Sequence, residues 1–278
     1  MTQQWNNLLT HLGVWEGSFT QLSPQGEVLE DTPSLVSLEG LNQQQTVRQT
    51  IEKFSVWGEE ATSQQTMAYE SLNRNTLIFE NGAFSVGSSQ FSPFSEFGAE
   101  LGFLAGDRRL RMIPLYNQQS ELNRITLIRE HRQGSAIESS PRLTIKQLLG
   151  EWRGEAMTLY PDLTPKDTYS TKLSVTQQGN RLHQTLKTDH WELSSSASIQ
   201  DNCLVFEQGV HTIQVLLLPD GASCTTPRQI QNRQPFFLEA GWLVSPNQRQ
   251  RLMRRYDQRG TWVSLTLITE EKIADYVK

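Results

Sequence analysis

Apolar positions in this chain come in short runs with turn residues between them. Val47 to Phe54, Thr76 to Ser85, Leu173 to Thr176, Cys203 to Phe206, Thr212 to Leu218 and Thr261 to Thr269 are rich in Val, Ile, Thr, Leu and aromatics. Asn81-Gly82, Gln178-Gly179-Asn180, Pro219-Asp220-Gly221 and Arg259-Gly260 bound them. Segments of this length and composition, punctuated this way, predict strands joined by tight turns. Helix is predicted in two brief pieces only, Trp5 to Leu12 and Leu143 to Leu149. The sum is an all-β chain: an up-and-down sheet, a sandwich or a barrel.

Each predicted helix runs into the same phrase. Leu12-Gly13-Val14-Trp15-Glu16-Gly17 returns about 137 residues later as Leu149-Gly150-Glu151-Trp152-Arg153-Gly154. Further matches follow in order. Phe79-Glu80-Asn81-Gly82 pairs with Phe206-Glu207-Gln208-Gly209, and Glu100-Leu101-Gly102-Phe103-Leu104 with Glu239-Ala240-Gly241-Trp242-Leu243. Arg109-Leu110-Arg111-Met112 pairs with Arg249-Gln250-Arg251-Leu252, and Ile125 to Glu130 with Leu265 to Glu270. Colinear order with drifting offsets is the mark of a duplication in which loops vary and strands do not. Two tandem domains are expected, 1–134 and 143–278, joined by a Ser/Pro-containing linker at 135–142. The 278 residues suffice for each to bury its own core.

A net charge of −5 argues against nucleic-acid binding, which needs a basic surface. The charge is uneven: residues 1–140 hold nine Lys plus Arg against sixteen Asp plus Glu, the remainder sixteen against fourteen. No apolar run is long enough to span a membrane, and the first residues lack the basic start and apolar core of a secretory signal, so a cytoplasmic location is expected. Two cysteines, Cys203 and Cys224, give no disulfide framework, and neither Cys-x-x-Cys nor His-x-x-x-His occurs, so no metal site is expected.

A short helix feeding a first strand that opens Gly-x-Trp resembles the calycin superfamily, the lipocalin-like antiparallel barrels. That resemblance implies that Trp15 and Trp152 each plug one barrel end, with Arg109 or Arg111 packing on Trp15 and Arg249 or Arg251 on Trp152. Stacking of a guanidinium on an indole face suits such a closure. The segment Trp242 to Arg251 with the following strand resembles the S-type phycobilin lyases, which implies a bound linear tetrapyrrole (bilin). The duplicated chain as a whole resembles an uncharacterised double-calycin family of cyanobacteria and plastids. The first copy lacks the Ser245-Pro246-Asn247 of the second, reading Gly106-Asp107-Arg108 there.

Alternate residues of a strand share a face, so Arg249, Arg251, Met253 and Arg255 point one way and Gln250, Leu252, Arg254 and Tyr256 the other. In the first copy Arg109, Arg111, Ile113 and Leu115 oppose Leu110, Met112 and Tyr116. Both faces carry apolar residues, so alternation leaves the inward one open. If the Arg face points inward, an anionic group on a hydrophobic ligand would satisfy guanidiniums in an apolar cup. Arg249, Arg251, Trp242, Glu239 and Tyr256, with Arg109, Arg111 and Tyr116 in the first copy, are the candidate ligand-binding residues. Alternatively, Glu100 and Glu239 pair with the arginines and the site is structural. Arg254-Arg255-Tyr256 resembles the Arg-x-Tyr carboxylate clamp of fatty-acid-binding proteins. His183 and His211 are placed in strands that could face a barrel interior, and Asp189-His190 beside Trp191 could orient a tetrapyrrole or simply end a hairpin. Three functions follow: non-covalent binding of an anionic hydrophobic molecule (a tetrapyrrole, a carotenoid derivative or a fatty acid), a bilin lyase or tetrapyrrole-handling chaperone, or a protein-interaction scaffold in photosynthetic assembly.

Overall fold

The structure is a computed structural model that describes residues 2–136, 140–162, 164 and 166–275. Helix α1 (Gln3–Leu9) starts where the Thr2 hydroxyl accepts the Trp5 N–H, then hands over to β1 (Gly13–Leu22). Eight further strands follow: β2 (Val28–Leu41), β3 (Thr46–Lys53), β4 (Ser63–Tyr69), β5 (Thr76–Ile78), β6 (Phe84–Gly87), β7 (Phe97–Ala105), β8 (Arg108–Tyr116) and β9 (Leu122–Arg132). The second half repeats the plan with α2 (Ile145–Leu148), β10 (Gly150–Leu159), β11 (Asp167–Gln178), β12 (Arg181–Thr188), β13 (Glu192–Gln200) and β14 (Cys203–Phe206). It ends with β15 (Ile213–Leu217), β16 (Ala222–Pro227), β17 (Phe236–Ser245), β18 (Gln248–Tyr256) and β19 (Trp262–Ala274). The predicted strand Thr76 to Ser85 is in fact a hairpin, β5 and β6, turned at Asn81-Gly82, where Gly82 takes φ +84°.

The repeated Gly-x-Trp-x-Gly phrase does the same physical work twice. Trp15 Nε1 donates to the carbonyl of His11 at 2.9 Å and Trp152 Nε1 to that of Leu148 at 2.9 Å, so each indole is tied to the chain that precedes its strand. Gly17 lets β1 close on β9: a Cβ there would stand 1.9 Å from the Arg129 carbonyl oxygen, and at Gly154 it would stand 2.6 Å from that of Thr269. Only glycine permits such an approach of two backbones.

The two sheets differ in closure. In the second half β10 to β19 form a closed ten-stranded barrel, because a turn at Asp201-Asn202 folds β14 back onto β13 with Ser198↔Val205, Ile199↔Leu204 and Gln200↔Cys203 in register. The first half is a curled nine-stranded sheet in the order β4-β3-β2-β1-β9-β8-β7-β6-β5, open between β4 and β5. There residues 70–75 intervene, and α1 takes the edge of β5. Gln4 Oε1 accepts the Ile78 N–H at 2.7 Å, while Gln4 Nε2 and Asn7 Nδ2 donate to the Ile78 carbonyl at 3.0 and 2.8 Å. Helix side chains satisfy the groups that a tenth strand would.

The halves pack about a pseudo-twofold axis, like a dimer made within one chain. Leu122 N–H donates to Arg228 O at 2.9 Å and Trp262 N–H to Ser89 O at 2.8 Å, as symmetry requires. Tyr116 OH donates to Pro227 O at 2.7 Å, and Tyr256 OH to Ser88 O at 2.8 Å. Phe97 and Phe236, equivalent residues, meet with ring centroids 5.6 Å apart. One apolar core runs across this junction from Leu101, Phe103 and Met112 to Leu238, Trp242 and Leu252. Of the expected linker, residues 137–139 lie outside the described residues; Ser140 N–H donates to Asp220 Oδ1 at 2.9 Å.

Candidate functional site

The inward face of β18 carries Arg249, Arg251, Met253 and Arg255, all of which line a cavity inside the closed barrel. Glu270 of β19 is buried between the first two. It accepts from Arg249 Nε at 2.8 Å and from Arg251 Nε and Nη2 at 3.2 and 2.9 Å. Glu239 of β17 takes Arg251 Nη1 at 3.3 Å and a hydroxyl contact from Thr225 at 3.4 Å. The first half builds the same quartet. Glu130 accepts Arg109 Nε at 2.7 Å and Arg111 Nη2 at 2.9 Å, and Glu100 accepts Arg111 Nη1 at 3.0 Å. Burial pushes the Glu270 and Glu130 carboxyls up, yet the flanking guanidiniums outweigh it and hold both at about 2. Two guanidiniums and two carboxylates sum to zero charge, so each quartet is balanced in charge without an added anion, although Arg249 Nη2, 2.6 Å from Glu270 Oε2, makes no hydrogen bond.

Cation stacking completes the closed end. Arg109 lies 4.5 Å over the Trp15 ring and Arg132 4.5 Å over it as well; Arg249 lies 4.6 Å from Trp152 and Lys272 5.1 Å. Glu130, Glu270, Arg132 and Lys272 were not singled out from the sequence. The signal for the two glutamates was present, since Glu130 and Glu270 close the last colinear match.

The barrel cavity measures about 1190 Å³ and runs from Leu148 at the α2 end to a mouth marked by Tyr160, His190, Trp191, Phe237 and Arg255. One wall is apolar, from Leu173 and Val175 of β11, Leu182 and Leu186 of β12, Leu204 and Val215. The facing wall presents hydroxyls: Thr158, Ser223, Thr225, Ser264 and Thr266. Arg255 stands at the mouth with no carboxylate within ion-pair distance among the described residues. Trp191, Leu193 and Val263 on the rim are exposed at 47, 59 and 36%.

The first half has the same quartet but fills the space above it. Where the second copy has Ala156, two residues along the strand from Gly154, the first has Phe19, whose ring lies 5.4 Å from the Arg111 guanidinium. Tyr69 sits opposite Val47 where Ala197 sits opposite Leu182, and Met67 opposite Gln49 where Ser195 sits opposite Gln184. Large side chains replace two alanines and a serine, so the interior of the first sheet is packed with its own core of Trp5, Trp15, Val36, Leu38 and Val47.

Several candidates fall outside the cup. Trp242, Tyr116 and Tyr256 project from the opposite face of their strands into the junction between the halves, as the two-residue period dictates once the Arg face is inward. Arg254 and Tyr256 do meet, with Arg254 Nε donating to the phenol oxygen at 2.7 Å, but in that junction and not as a carboxylate clamp in the cup. His183 is on the outer surface; His211 lines the cavity and accepts the Gln231 N–H at 3.1 Å. Asp189-His190 form the turn between β12 and β13, with His190 at the mouth. Among the described residues no group of His, Cys, Asp or Glu is placed to hold a metal ion, and no helix is long and apolar enough to cross a membrane.

Residues 1–135 match the family model described as Domain of unknown function (DUF3598), N-terminal. Residues 139–273 match that of the C-terminal domain of Biogenesis factor required for ATP synthase 1. No curated protein matches. Among solved structures, a protein with unknown function from the DUF3598 family of Nostoc punctiforme is 47% identical, with TM-score 0.92, covering 98% of this chain and 100% of that one. An S-type phycobiliprotein lyase from Guillardia theta is 14% identical with TM-score 0.38, over 48% of this chain and 92% of that one. A putative outer membrane protein from Bacteroides fragilis is 12% identical with TM-score 0.26, over 96% and 99%.

Proposed function

The chain belongs to the DUF3598 family, and we propose that its second half is a receptor for one hydrophobic small molecule carrying an anionic group, held non-covalently in the barrel. The observation that carries this is the cavity: about 1190 Å³, apolar on one wall, hydroxyl-lined on the other and open at one end. Pockets that enclose small ligands run to roughly 1,000 Å³, so the cup suits a large one, a tetrapyrrole or carotenoid derivative, or the chain of a fatty acid. The apolar body lies on Leu173, Leu182, Leu186 and Leu204. The anion meets Arg255 at the mouth, because Arg249 and Arg251 are already neutralised by Glu270 and Glu239. The first half, filled by Phe19, Tyr69 and Met67, takes no such ligand.

Titration with biliverdin, retinoic acid and palmitate, followed by absorbance or by quenching of Trp191 at the rim, tests the proposal. Saturable binding at one site per chain supports it; absence of binding by all three classes overturns it.

Two other readings have their own support. The segment Trp242 to Arg251 resembles the phycobilin lyases, and formation of a thioether adduct on a cysteine of an acceptor protein, above the spontaneous rate, would establish that activity. The family model matched by the second half bears the description of an ATP synthase biogenesis factor, which supports a role in protein assembly. Co-purification with assembly intermediates tests it.

A further inference from the structure

The seam that keeps the first sheet open leaves a strand edge without a backbone partner among the described residues. Strand β4 pairs with β3 from Ser63↔Lys53 to Tyr69↔Val47. On its other side, no hydrogen bond reaches the backbone of residues 63–69 among the described residues. Natural edges are blunted by lysine, proline, bulges or a covering element. Strand β4 reads Ser-Gln-Gln-Thr-Met-Ala-Tyr, with no charge, no proline and no glycine. The other lip of the seam is treated differently, since Gln4 and Asn7 cap Ile78 of β5. The equivalent strand of the second half is treated differently too. Its β13 is joined by β14, and upstream the Gln208 side chain accepts the Ser196 N–H at 3.3 Å and donates to the Ser196 hydroxyl at 2.6 Å. Both of these relatives of the β4 edge are occupied, one by a helix and one by a strand and a side chain.

What lies at the two ends of the bare edge says what would cover it. At the start, Phe54 and Trp57 stack with centroids 5.4 Å apart, and Trp57 and Val56 are 49 and 56% exposed. Glu59 and Glu60 follow, exposed and free of ion pairs among the described residues. At the far end, exposed Glu70 leads into a second cleft of about 960 Å³, lined by Trp5, Leu72, Arg74 and Leu77. Exposed aromatics anchor protein interfaces, bare edges template an added strand, and carboxylates select cations.

We propose that the free edge of β4, flanked by the Phe54–Trp57 stack and by Glu59, Glu60 and Glu70, docks an extended basic segment of a partner protein as an additional strand. The backbone ladder supplies the attachment, Trp57 an apolar anchor, and the three carboxylates the preference for lysine and arginine. The surface belongs to the first half, and its use does not depend on the cup of the second.

The test uses the full chain and three synthetic heptapeptides: Lys-Val-Lys-Val-Lys-Val-Lys, the same peptide with alternate backbone amides N-methylated, and its Glu-for-Lys counterpart. Hydrogen exchange of residues 63–69 and Trp57 fluorescence are read together. The lysine peptide slows exchange across 63–69, and the other two do not. Glu59→Gln, Glu60→Gln and Glu70→Gln combined weaken binding by roughly tenfold, the product of three screened surface attractions. Unchanged exchange at 63–69 with the lysine peptide overturns the proposal. Equal binding of the N-methylated peptide overturns it as well, since attraction would then be charge alone. Concentration-dependent protection of 63–69 without peptide would assign the edge to a second copy of the chain instead.

Discussion

Glu270→Gln removes the carboxylate that Arg249 and Arg251 share and leaves both guanidiniums in the barrel interior. Burial alone would raise the Glu270 carboxyl, but the two guanidiniums hold it at about 2 against an ordinary 4.5. A folded state that binds the proton more weakly than the unfolded chain is stabilised fully above pH 4.5, and that contribution is lost as pH falls toward 2. A gap of this size is worth about 3 kcal/mol, at about 1.4 kcal/mol for each pH unit. Removing one member of a buried ion pair costs about 3–5 kcal/mol, in the same range. At pH 7 the variant therefore loses about 3 kcal/mol, and its Tm drops by roughly 6–12 °C, at about 2–4 °C per kcal/mol for a chain near this size. Urea titrations followed by tryptophan fluorescence at pH 7, 5, 4 and 3 measure both effects, and Trp152 under Arg249 reports on the site itself. The wild-type protein loses stability steadily below pH 4.5. The variant starts lower and loses less, keeping the acid dependence of Glu130, held at about 2 by Arg109 and Arg111, and of Glu151, lowered by its hydrogen bonds to Ser174 and Lys172. A variant within about 1 kcal/mol of wild type at pH 7, the worth of an exposed pair, would refute the reasoning. So would an unchanged acid dependence.

Three further outcomes follow from the same geometry. Ala156→Phe with Ala197→Tyr gives the second barrel two of the side chains that fill the first sheet; ligand uptake is expected to vanish while the far-UV circular dichroism stays that of the wild type. Arg255→Gln removes the uncompensated cation at the mouth and weakens binding of a carboxylate ligand by roughly tenfold or more, the worth of a charge-assisted hydrogen bond, while affinity for the methyl ester of the same ligand is unchanged. Arg254→Ala cuts the link that donates to Tyr256 OH, Ser85 Oγ and Ser88 O and stacks 3.5 Å from the Trp262 ring. A loss of about 3–5 kcal/mol in urea unfolding is expected, from lost hydrogen bonds and the void left behind.

The duplication and the strand content were legible because they rest on local signals: turn residues, short β-rich runs and a repeated phrase that sets Trp15 and Trp152 in equivalent places, each bonded to the carbonyl four residues before it. The inward face of β8 and β18 was not, for a physical reason. Leu252 and Tyr256 look as buried in the sequence as Met253 because they are buried, in the junction between the halves. A strand covered on both sides loses the alternation that tells inside from outside. For the same reason Trp242, Tyr116 and Tyr256 read as site residues although their surroundings are the other half of the chain. The open seam was hidden as well, since it depends on Gln4 and Asn7 of α1 reaching a strand more than seventy residues away. The contrast between a filled and an empty interior was written in plain view, in Phe19 against Ala156 and Tyr69 against Ala197. It becomes readable only once register fixes which positions face each other.

Non-denaturing mass spectrometry after exposure to a pigment and lipid extract of a photosynthetic cell tests the ligand-receptor account most directly, read on the wild-type chain beside the Ala156→Phe, Ala197→Tyr variant. The expected result is one retained ligand per wild-type chain and none on the variant. Two ligands per chain, equal retention by the variant, or no retained mass on either would contradict it.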